Sequence, residues 1–403
     1  MSIHKLPNIN NYINQEDIKI KFSENKPDNF VCKTLSFYLN KVKARIDKYS
    51  IEWDSFKKIT NSYEYIHTHL PNLKYSISKL KPLSRAFYKL IEICNQFELL
   101  EKYKNSNITT FHLAEGPGGF IEAVNFIRKN PHDNYYAITL LDDDNDSVPG
   151  WKKSSLFLRK NKNIKIEKGV EGRGDLYNPE NYKYYYRLLK NKVDFITADG
   201  GFDFSIDFNN QENMAVRLIF TEIIYAISMQ KKGGSFVIKM FDTFLKSSFD
   251  MIYLLSTMYE NVNIFKPHTS RTANSERYIV CTDFKYDNIE HLYNKFYTVL
   301  KVLNHPSLDK SFIKSILDIK YPYKFKQNIE EINSIIGGQQ IDNIQTTVRF
   351  IENKERRSEK IQQKKDSNIQ KCISWCIKNN IPYNRIQQNT NIFMTNRKIS
   401  ISS

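Results

Sequence analysis

The sequence predicts an α/β fold, a mostly parallel Rossmann-like sheet with helices on both faces, and three features predict it. Between Ile108 and Phe284 short apolar strands alternate with helix-length segments. Within that span FHLAEGPGGF, Phe111 to Phe120, passes from strand-like alternation through the turn Gly116-Pro117-Gly118-Gly119 into a helical pattern. Farther on, two apolar strands end in Asp199 and Lys239, as expected where a sheet opens onto a crevice beyond its carboxyl ends.

Taken in order, the first segment, to about Ser76, is a polar start followed by one helix candidate. Its Leu35, Leu39, Val42, Ile46, Tyr49 and Trp53 recur at alternating steps of four and three, a stripe that buries one face. Lys41, Lys43, Arg45 and Lys48 lie off the stripe and are expected to be solvated, with an RNA-facing surface as the sharper reading. His67 and His69 alternate within a candidate strand and are expected at the surface, not on a metal. A second helix, SRAFYKLIEICNQFELL, lies between Leu83 and Leu100 with Ser84 as its N-cap after Pro82. Phe87, Leu90, Ile91, Cys94 and Phe97 form its buried stripe. Lys89 stands beside that stripe, snorkelling to solvent or aimed into a cleft.

The expected strands of the sheet are Ile108 to Leu113, Tyr135 to Leu140, Asn163 to Lys168, Val193 to Ala198, Ser235 to Lys239, Val262 to Phe265 and Arg277 to Thr282. Helices are expected over Gly119 to Arg128, Glu212 to Gln230 and Ser247 to Tyr259. After about Lys285 the alternation stops. Helical patterns follow, then Gly337-Gly338, then an apolar face of Ile341, Ile344, Val348 and Ile351, then the run ENKERRSEKIQQKKD, read as a solvated helix face. The organisation expected is an N-terminal helical extension over 1–76, the sheet domain over 77–290 and a helical, basic C-terminal extension over 291–403.

Composition narrows the partners. Lys+Arg 60 against Asp+Glu 44 leaves +16, a balance suited to a polyanion, with nucleic acid the leading candidate. Met1 to Gln15 has neither signal nor transit character and no apolar run has the length to span a bilayer, so a soluble intracellular protein without membrane partners is expected. Cys32, Cys94, Cys281, Cys372 and Cys376 are odd in number and scattered, and read as reduced thiols with no metal site. Abundant Asn, Ile, Lys and Tyr give an A+T-biased composition.

The polar residues that end successive strands make the site: Glu115, the Asp142 to Asp144 run, Asp199 and Lys239. Glycines in the 116–119 turn would let backbone approach a ligand, and the first amides of the following helix would point N–H groups at it. Taken alone, the turn is equally a tight strand-to-helix connection. Lys239 follows four apolar positions, so its surroundings are expected to disfavour the ammonium and make a usable base. As structure only, Asp199 and Lys239 would be an ion pair capping a sheet edge.

The segments LAEGPGGF, GRGDLYNPEN, ITADGGF, QEN, GGSFVIKMFD and FKPHTSRTANSERYIVC, with SRAFYKL upstream, closely resemble the FtsJ-like (RrmJ-type) 2'-O-methyltransferases, specifically the cap-specific mRNA 2'-O-methyltransferases, over about Leu83 to Phe284. The resemblance implies a Lys-Asp-Lys-Glu tetrad on Lys89, Asp199, Lys239 and Glu276. It implies an S-adenosyl-L-methionine cradle on Ala114, Glu115, Gly116, Pro117, Gly118, Gly119 and Phe120, with Asp175, Leu176 and Asp199 as further cofactor contacts. Substrate RNA would meet Ser84, Asn213, Met214, Ala215 and Asn274. Ser84 and Glu115 stand where related sequences vary, and Arg173 interrupts the acidic loop. The Asp142 to Asp144 run is expected to be a solvated loop with one cofactor contact.

The implied activity is methylation of a cap-proximal ribose of mRNA, cap-0 to cap-1, with Lys239 as base, Lys89 lowering its proton affinity, and the two acids orienting the lysines. No metal is required. Its rivals are the same reaction on ribosomal or transfer RNA and a non-catalytic RNA-binding subunit that retains the fold. Capped mRNA is the expected partner, and the C-terminal extension is where other capping or transcription components would make contact. A cytoplasmic location is expected, as for a large-DNA-virus protein in host cytoplasm or virion, with a nuclear one as the alternative.

Overall fold

The structure, a computed structural model, describes residues 3–71, 73–142, 145, 148–201, 210–308 and 311–385. Strands β1 (Ile3–Lys5) and β2 (Ile18–Ser23) precede helices α1 (Lys33–Ala44), α2 (Ser50–Thr60) and α3 (Ala86–Phe97). The central run is β3 (Thr109–Leu113), α4 (Gly119–Arg128), β4 (Asn134–Ile138), α5 (Ser155–Lys160), β5 (Ile164–Glu167), α6 (Pro179–Leu189) and β6 (Val193–Ala198). It continues through α7 (Gln211–Met229), β7 (Gln230–Met240), α8 (Lys246–Met258), β8 (Tyr259–Phe265) and β9 (Arg277–Phe284). Then come α9 (Glu290–Leu303), β10 (Phe312–Leu317), α10 (Tyr323–Glu352) and α11 (Ser358–Lys378).

Among these residues one eight-stranded sheet has the order β1-β8-β9-β7-β6-β3-β4-β5. Strands β7, β6, β3, β4 and β5 run parallel, while β9, β8 and β1 add antiparallel pairs at one edge. The parallel strands read as nearly continuous apolar runs because helices cover both faces. β6 is buried at all six positions, and its one carboxylate is accounted for: Asp194 accepts from the Thr109 amide at 3.0 Å and from Lys231 at 3.0 Å. α7 is buried along thirteen of nineteen residues, which suits a helix enclosed between the sheet and outer elements. The five cysteines are free thiols.

The extensions differ from the sequence reading in detail. The single helix expected over Leu35 to Trp53 is two, α1 and α2, joined through Asp47–Tyr49 in 3-10 geometry. The polar start supplies β1 to the main sheet, and β2 pairs with β10 in a separate two-stranded ribbon. β1 has only three residues, while β2, IKIKFS, does alternate over six residues, a strand signal that the expected polar start misses. α10 runs unbroken through Gly337-Gly338, because a β-carbon at Gly337 would lie 3.1 Å from Leu35 Cδ2: the glycine lets α1 approach α10.

Two further expectations fail locally. α3 starts at Ala86 with Arg85 in the cap position and no side-chain cap, so Ser84 is not its N-cap. Lys43 is neither solvated nor RNA-facing, being paired with Asp242 at 2.9 Å with both side chains nearly buried. No helix among the described residues is long and apolar enough to cross a membrane.

Candidate active site

Parallel pairing of β6 with β7 sets Ala198 beside Ile238, so Asp199 and Lys239 emerge together at the carboxyl end of the sheet. The Lys239 amine lies 3.2 Å from Asp199 Oδ1 and donates to the Asp199 carbonyl at 2.7 Å. A β-carbon at Gly201 would stand 3.2 Å from that amine, so glycine there leaves the lysine its room. β9 runs antiparallel to β7 with Tyr278 opposite Lys239, and the Tyr278 hydroxyl donates to Asp199 Oδ1 at 3.1 Å. Just before β9, Glu276 takes a 2.7 Å hydrogen bond on Oε2 from Lys89, brought across by α3. The four side chains are only 8, 11, 12 and 14% exposed, each lysine feels both acids, and Lys89 also feels Lys239. Glu276 Oε1 is buried without a hydrogen-bond partner among the described residues. An unpaired carboxylate oxygen beside two amines is able to accept from a hydroxyl brought into the cleft.

Burial lowers the Lys89 amine below the usual lysine range despite Glu276 and Asp199, and the nearby Arg85 and Lys239 charges add to that. Lys239 goes the other way. Burial would lower it, but Asp199 and Glu276 prevail and the net shift is upward. The expectation that its surroundings disfavour the ammonium is therefore corrected: four apolar neighbours along the strand do not decide a charge that two carboxylates face. For Glu276 burial acts upward, yet Lys89 and Lys239 hold the carboxyl well below its ordinary range.

The loops ending β3, β4 and β5 meet at the glycine turn. The Gly116 amide lies 3.4 Å from Thr139 Oγ1, and Gly174 (φ +67°) passes so close to the Thr139 carbonyl that no β-carbon fits. This brings Asp175 to the turn, with Oδ1 accepting from the Tyr177 amide at 2.9 Å and burial pushing its carboxyl up. The glycines of this turn also pack tightly against the rest of the chain. Their missing β-carbons face protein: Gly116 the Gly150 carbonyl at 2.7 Å, Gly118 (φ +102°) the Trp151 ring at 2.8 Å, and Gly119 the Ser84 hydroxyl. What the turn still presents is the start of α4, which has no side-chain cap and so has unpaired amides for a ligand.

Glu115 is turned inward, bonded to His112 Nδ1 at 3.2 Å and to the Thr197 hydroxyl, and burial pushes its carboxyl up; only its backbone is left for a cofactor. Phe120 and Leu176 likewise bury their side chains in the core. Ala114 has φ +51°, and the β-carbon that Gly200 lacks would lie 3.2 Å from Ala114 Cβ, so the Asp199-Gly200 turn touches the glycine turn. The uncapped α4 start, Asp175 and Asp199 are donors and acceptors of the kind S-adenosylmethionine needs. Asp143 and Asp144 lie outside the described residues.

Of the predicted RNA contacts, Asn213 lines a polar cavity of about 260 Å³ with Asn40 and Asp242, and Met214 is 44% exposed. Ala215 is buried and cannot touch RNA through its side chain. Asn274 spends Oδ1 and its carbonyl on Lys266, at 2.9 and 2.8 Å, leaving its amide nitrogen for a ligand. Gln211 accepts from the Ser275 hydroxyl at 2.7 Å, so the start of α7 and the segment before Glu276 are joined.

Several participants escape a reading of the sequence. Lys266 donates to Asn274 and, at 2.6 Å, to the Glu276 carbonyl, and burial takes its amine down to about 7. Tyr278 and Lys266 stand inside the family motifs, but nothing in the motifs gives them a role. Glu222 leaves no signal at all: it is an acid within the apolar body of α7, buried beneath Gly200, with burial pushing its carboxyl well up.

Both extensions grip the site loops. Glu64 takes a forked pair of bonds from Arg271, at 2.6 and 3.0 Å. Burial acts upward on Glu64, but Arg271 and Arg85 bring it down to about 2, while burial and Arg85 take His67 down to about 3. His67 follows the 3-10 turn Glu64–Ile66 and is no part of a strand, and no metal-ligand cluster occurs among the described residues. Both groups bind more protons when unfolded, His67 between its ordinary 6.5 and about 3, Glu64 between its ordinary 4.5 and about 2. Stability is therefore expected to fall as pH falls through these windows. His67→Gln should remove about 2 kcal/mol of that loss between pH 6.5 and 4.5, read by urea titration at both pH values. An unchanged pH slope would contradict the burial assignment.

The FtsJ-like methyltransferase family model matches residues 82–284. A zebrafish (Danio rerio) protein named cap-specific mRNA (nucleoside-2'-O-)-methyltransferase 2 is 30% identical over 342 residues, 78% of this chain and 43% of that protein. A Mus musculus protein named cap-specific mRNA (nucleoside-2'-O-)-methyltransferase 1 is 31% identical over 259 residues, 62% of this chain and 31% of that one. The chain thus spans less than half the length of these curated relatives. With the family match covering half the sequence and every tetrad position within or bonded to that region, the chain belongs to the FtsJ-like methyltransferase family.

Proposed function

We propose that this chain is an S-adenosylmethionine-dependent RNA 2'-O-methyltransferase acting on the cap-proximal nucleotide of mRNA, cap-0 to cap-1. The observation that carries the reading is the convergence of two amine–carboxylate pairs, Lys89 with Glu276 and Lys239 with Asp199, in one buried cleft beside the glycine turn. A ribose 2'-hydroxyl is a poor nucleophile near neutral pH, so a methyl transferase must remove its proton and hold the oxygen in line with the donor. The cofactor would supply a methyl group already activated by its sulfonium. Held by the α4 amides, Asp175 and Asp199, it would set that methyl beside the lysines.

In this reading Lys239 takes the 2'-proton, Asp199 orients its amine, and Glu276 holds Lys89 so that both amines face the ribose oxygen. Lys89 as the base is a second reading, favoured by the lowering of its amine where Lys239 is raised. Preference for capped mRNA is supported by the relatives' names. Labelled cofactor with cap-0 RNA is expected to yield 2'-O-methylated product at the cap-proximal nucleotide, mapped by nuclease digestion. Equal transfer to capped and uncapped RNA would move the assignment to ribosomal or transfer RNA. RNA binding with no transfer would leave a non-catalytic subunit.

A further inference from the structure

A cavity of about 350 Å³ lies outside the tetrad, where α11 of the C-terminal extension crosses α3 and the segment after β8. Its position relative to the chemistry is fixed by α3: Glu92 stands one helical turn beyond Lys89. Glu92 accepts from the His268 and Thr269 amides at 2.8 and 3.1 Å and from the Thr269 hydroxyl at 2.9 Å. It thereby ties the cavity wall to the segment that leads to Glu276. On that wall His268 and Tyr63 are stacked, with ring centroids 4.5 Å apart. Burial keeps His268 neutral at pH 7, its imidazole lowered to about 4 with the Lys378 and Lys371 charges adding to the shift. Trp375 of α11 is buried and turns its indole N–H toward Glu92 without completing a hydrogen bond.

The face of α11 at this cavity is basic and unneutralised. Lys364, Lys371 and Lys378 recur every seven residues, so they line one side of the helix about 10 Å apart. Lys371 and Lys378 are exposed and line the cavity, and Lys371 is close enough to Lys364 to help lower its amine after burial. Among the described residues none of the three pairs with a carboxylate; Lys378 reaches only the Gln96 amide oxygen, at 3.4 Å. Exposed like charges in register repel one another only weakly in water, but together they make a positive strip to which an anion with repeated charge is drawn.

We infer that this cavity and lysine row bind the single-stranded RNA that flanks the modified nucleotide, with phosphates along Lys364, Lys371 and Lys378 and one base entering against the Tyr63–His268 pair. Repeated ammonium groups match a phosphate backbone, stacked rings accept any base, and neutral amides at the rim suit base edges. Short capped RNA would use the tetrad alone, whereas longer RNA would gain affinity from the extension. The inference rests on the reading of the substrate as RNA, but not on catalysis.

The test is binding of a fluorescein-labelled, uncapped 15-nucleotide single strand to the full chain without cofactor, by anisotropy across a salt series. Converting Lys371 and Lys378 to alanine together should weaken binding at low salt by at least tenfold and reduce the salt slope by about 1.4, close to 0.7 for each phosphate no longer neutralised. RNA carrying 4-thiouridine should crosslink to peptides containing Tyr63 or His268. An unchanged slope with crosslinks elsewhere would overturn the assignment. So would a result in which the double variant loses polyglutamate but keeps RNA, since the face would then serve an acidic protein segment. A chain that binds RNA here yet transfers no methyl would fail the proposed function and keep this inference.

Discussion

Lys239→Ala is expected to lower methyl transfer to cap-0 RNA by about 10²- to 10⁴-fold at neutral pH, the usual worth of a positioned acid–base group, while cofactor binding stays measurable. The expectation rests on the amine being the group in contact with Asp199 at the shared end of β6 and β7. Asp199 and Glu276 raise Lys239 against the effect of burial, so most of its amine is protonated near neutrality. If it is the base, transfer should rise about tenfold per pH unit through the neutral and mildly alkaline range, because the neutral amine is the reactive form. Lys89 is lowered instead, and a base there would bring the plateau to lower pH. The two variants and the pH profile separate the amines. A Lys239→Ala chain that keeps transfer within a few-fold of the native rate, with the alkaline rise gone from Lys89→Ala instead, would reassign the base. Retention of the native rate by both variants would falsify the tetrad reading.

Arg277→Met is expected to destabilise the chain by about 3 kcal/mol in urea titration, the lower part of the range for breaking a buried ion pair. Arg277 is 1% exposed, and its guanidinium donates to Asp242 Oδ1 at 3.2 Å, Asn333 Oδ1 at 2.8 Å and Thr243 Oγ1 at 3.3 Å. One planar group thereby joins β9, the loop after Lys239 and α10. Lys43 stays with Asp242 from the other extension, which keeps the loss from reaching the upper part of the range. Arg277→Lys should not restore stability, because an ammonium cannot span three acceptors in the plane of the fork. A loss below 1 kcal/mol would mean that α10 is held elsewhere and the guanidinium is incidental.

The sheet itself was legible because its signal is local. Strand β6 and helix α4 match the expected limits, and β3, β4, β5, β7, β8 and β9 fall within a few residues of theirs, since a strand buried on both faces declares itself by its apolar run. β1, β2 and β10 were missed because none is a fully apolar run: β1 has three residues, β2 only alternates, and the pairing of each depends on a partner far along the chain. α10 passes through Gly337-Gly338 although glycine lowers helix propensity, and the room it leaves for Leu35 of α1 accounts for glycine at 337.

By itself the sequence determined the order of strands and helices, the tips on which Asp199 and Lys239 stand, and the motifs that carry the family resemblance. Residue identity and spacing along the chain are enough for those. The tertiary structure alone decided that Lys89 meets Glu276, that Lys239 is raised and Lys89 lowered, that Glu115 faces inward, and that α1, α10 and the Glu64 turn hold the site loops. Charge state and orientation are set by groups that approach from distant parts of the chain. Electrostatic energy depends on separation in space and on desolvation, and neither is written in the linear order of residues.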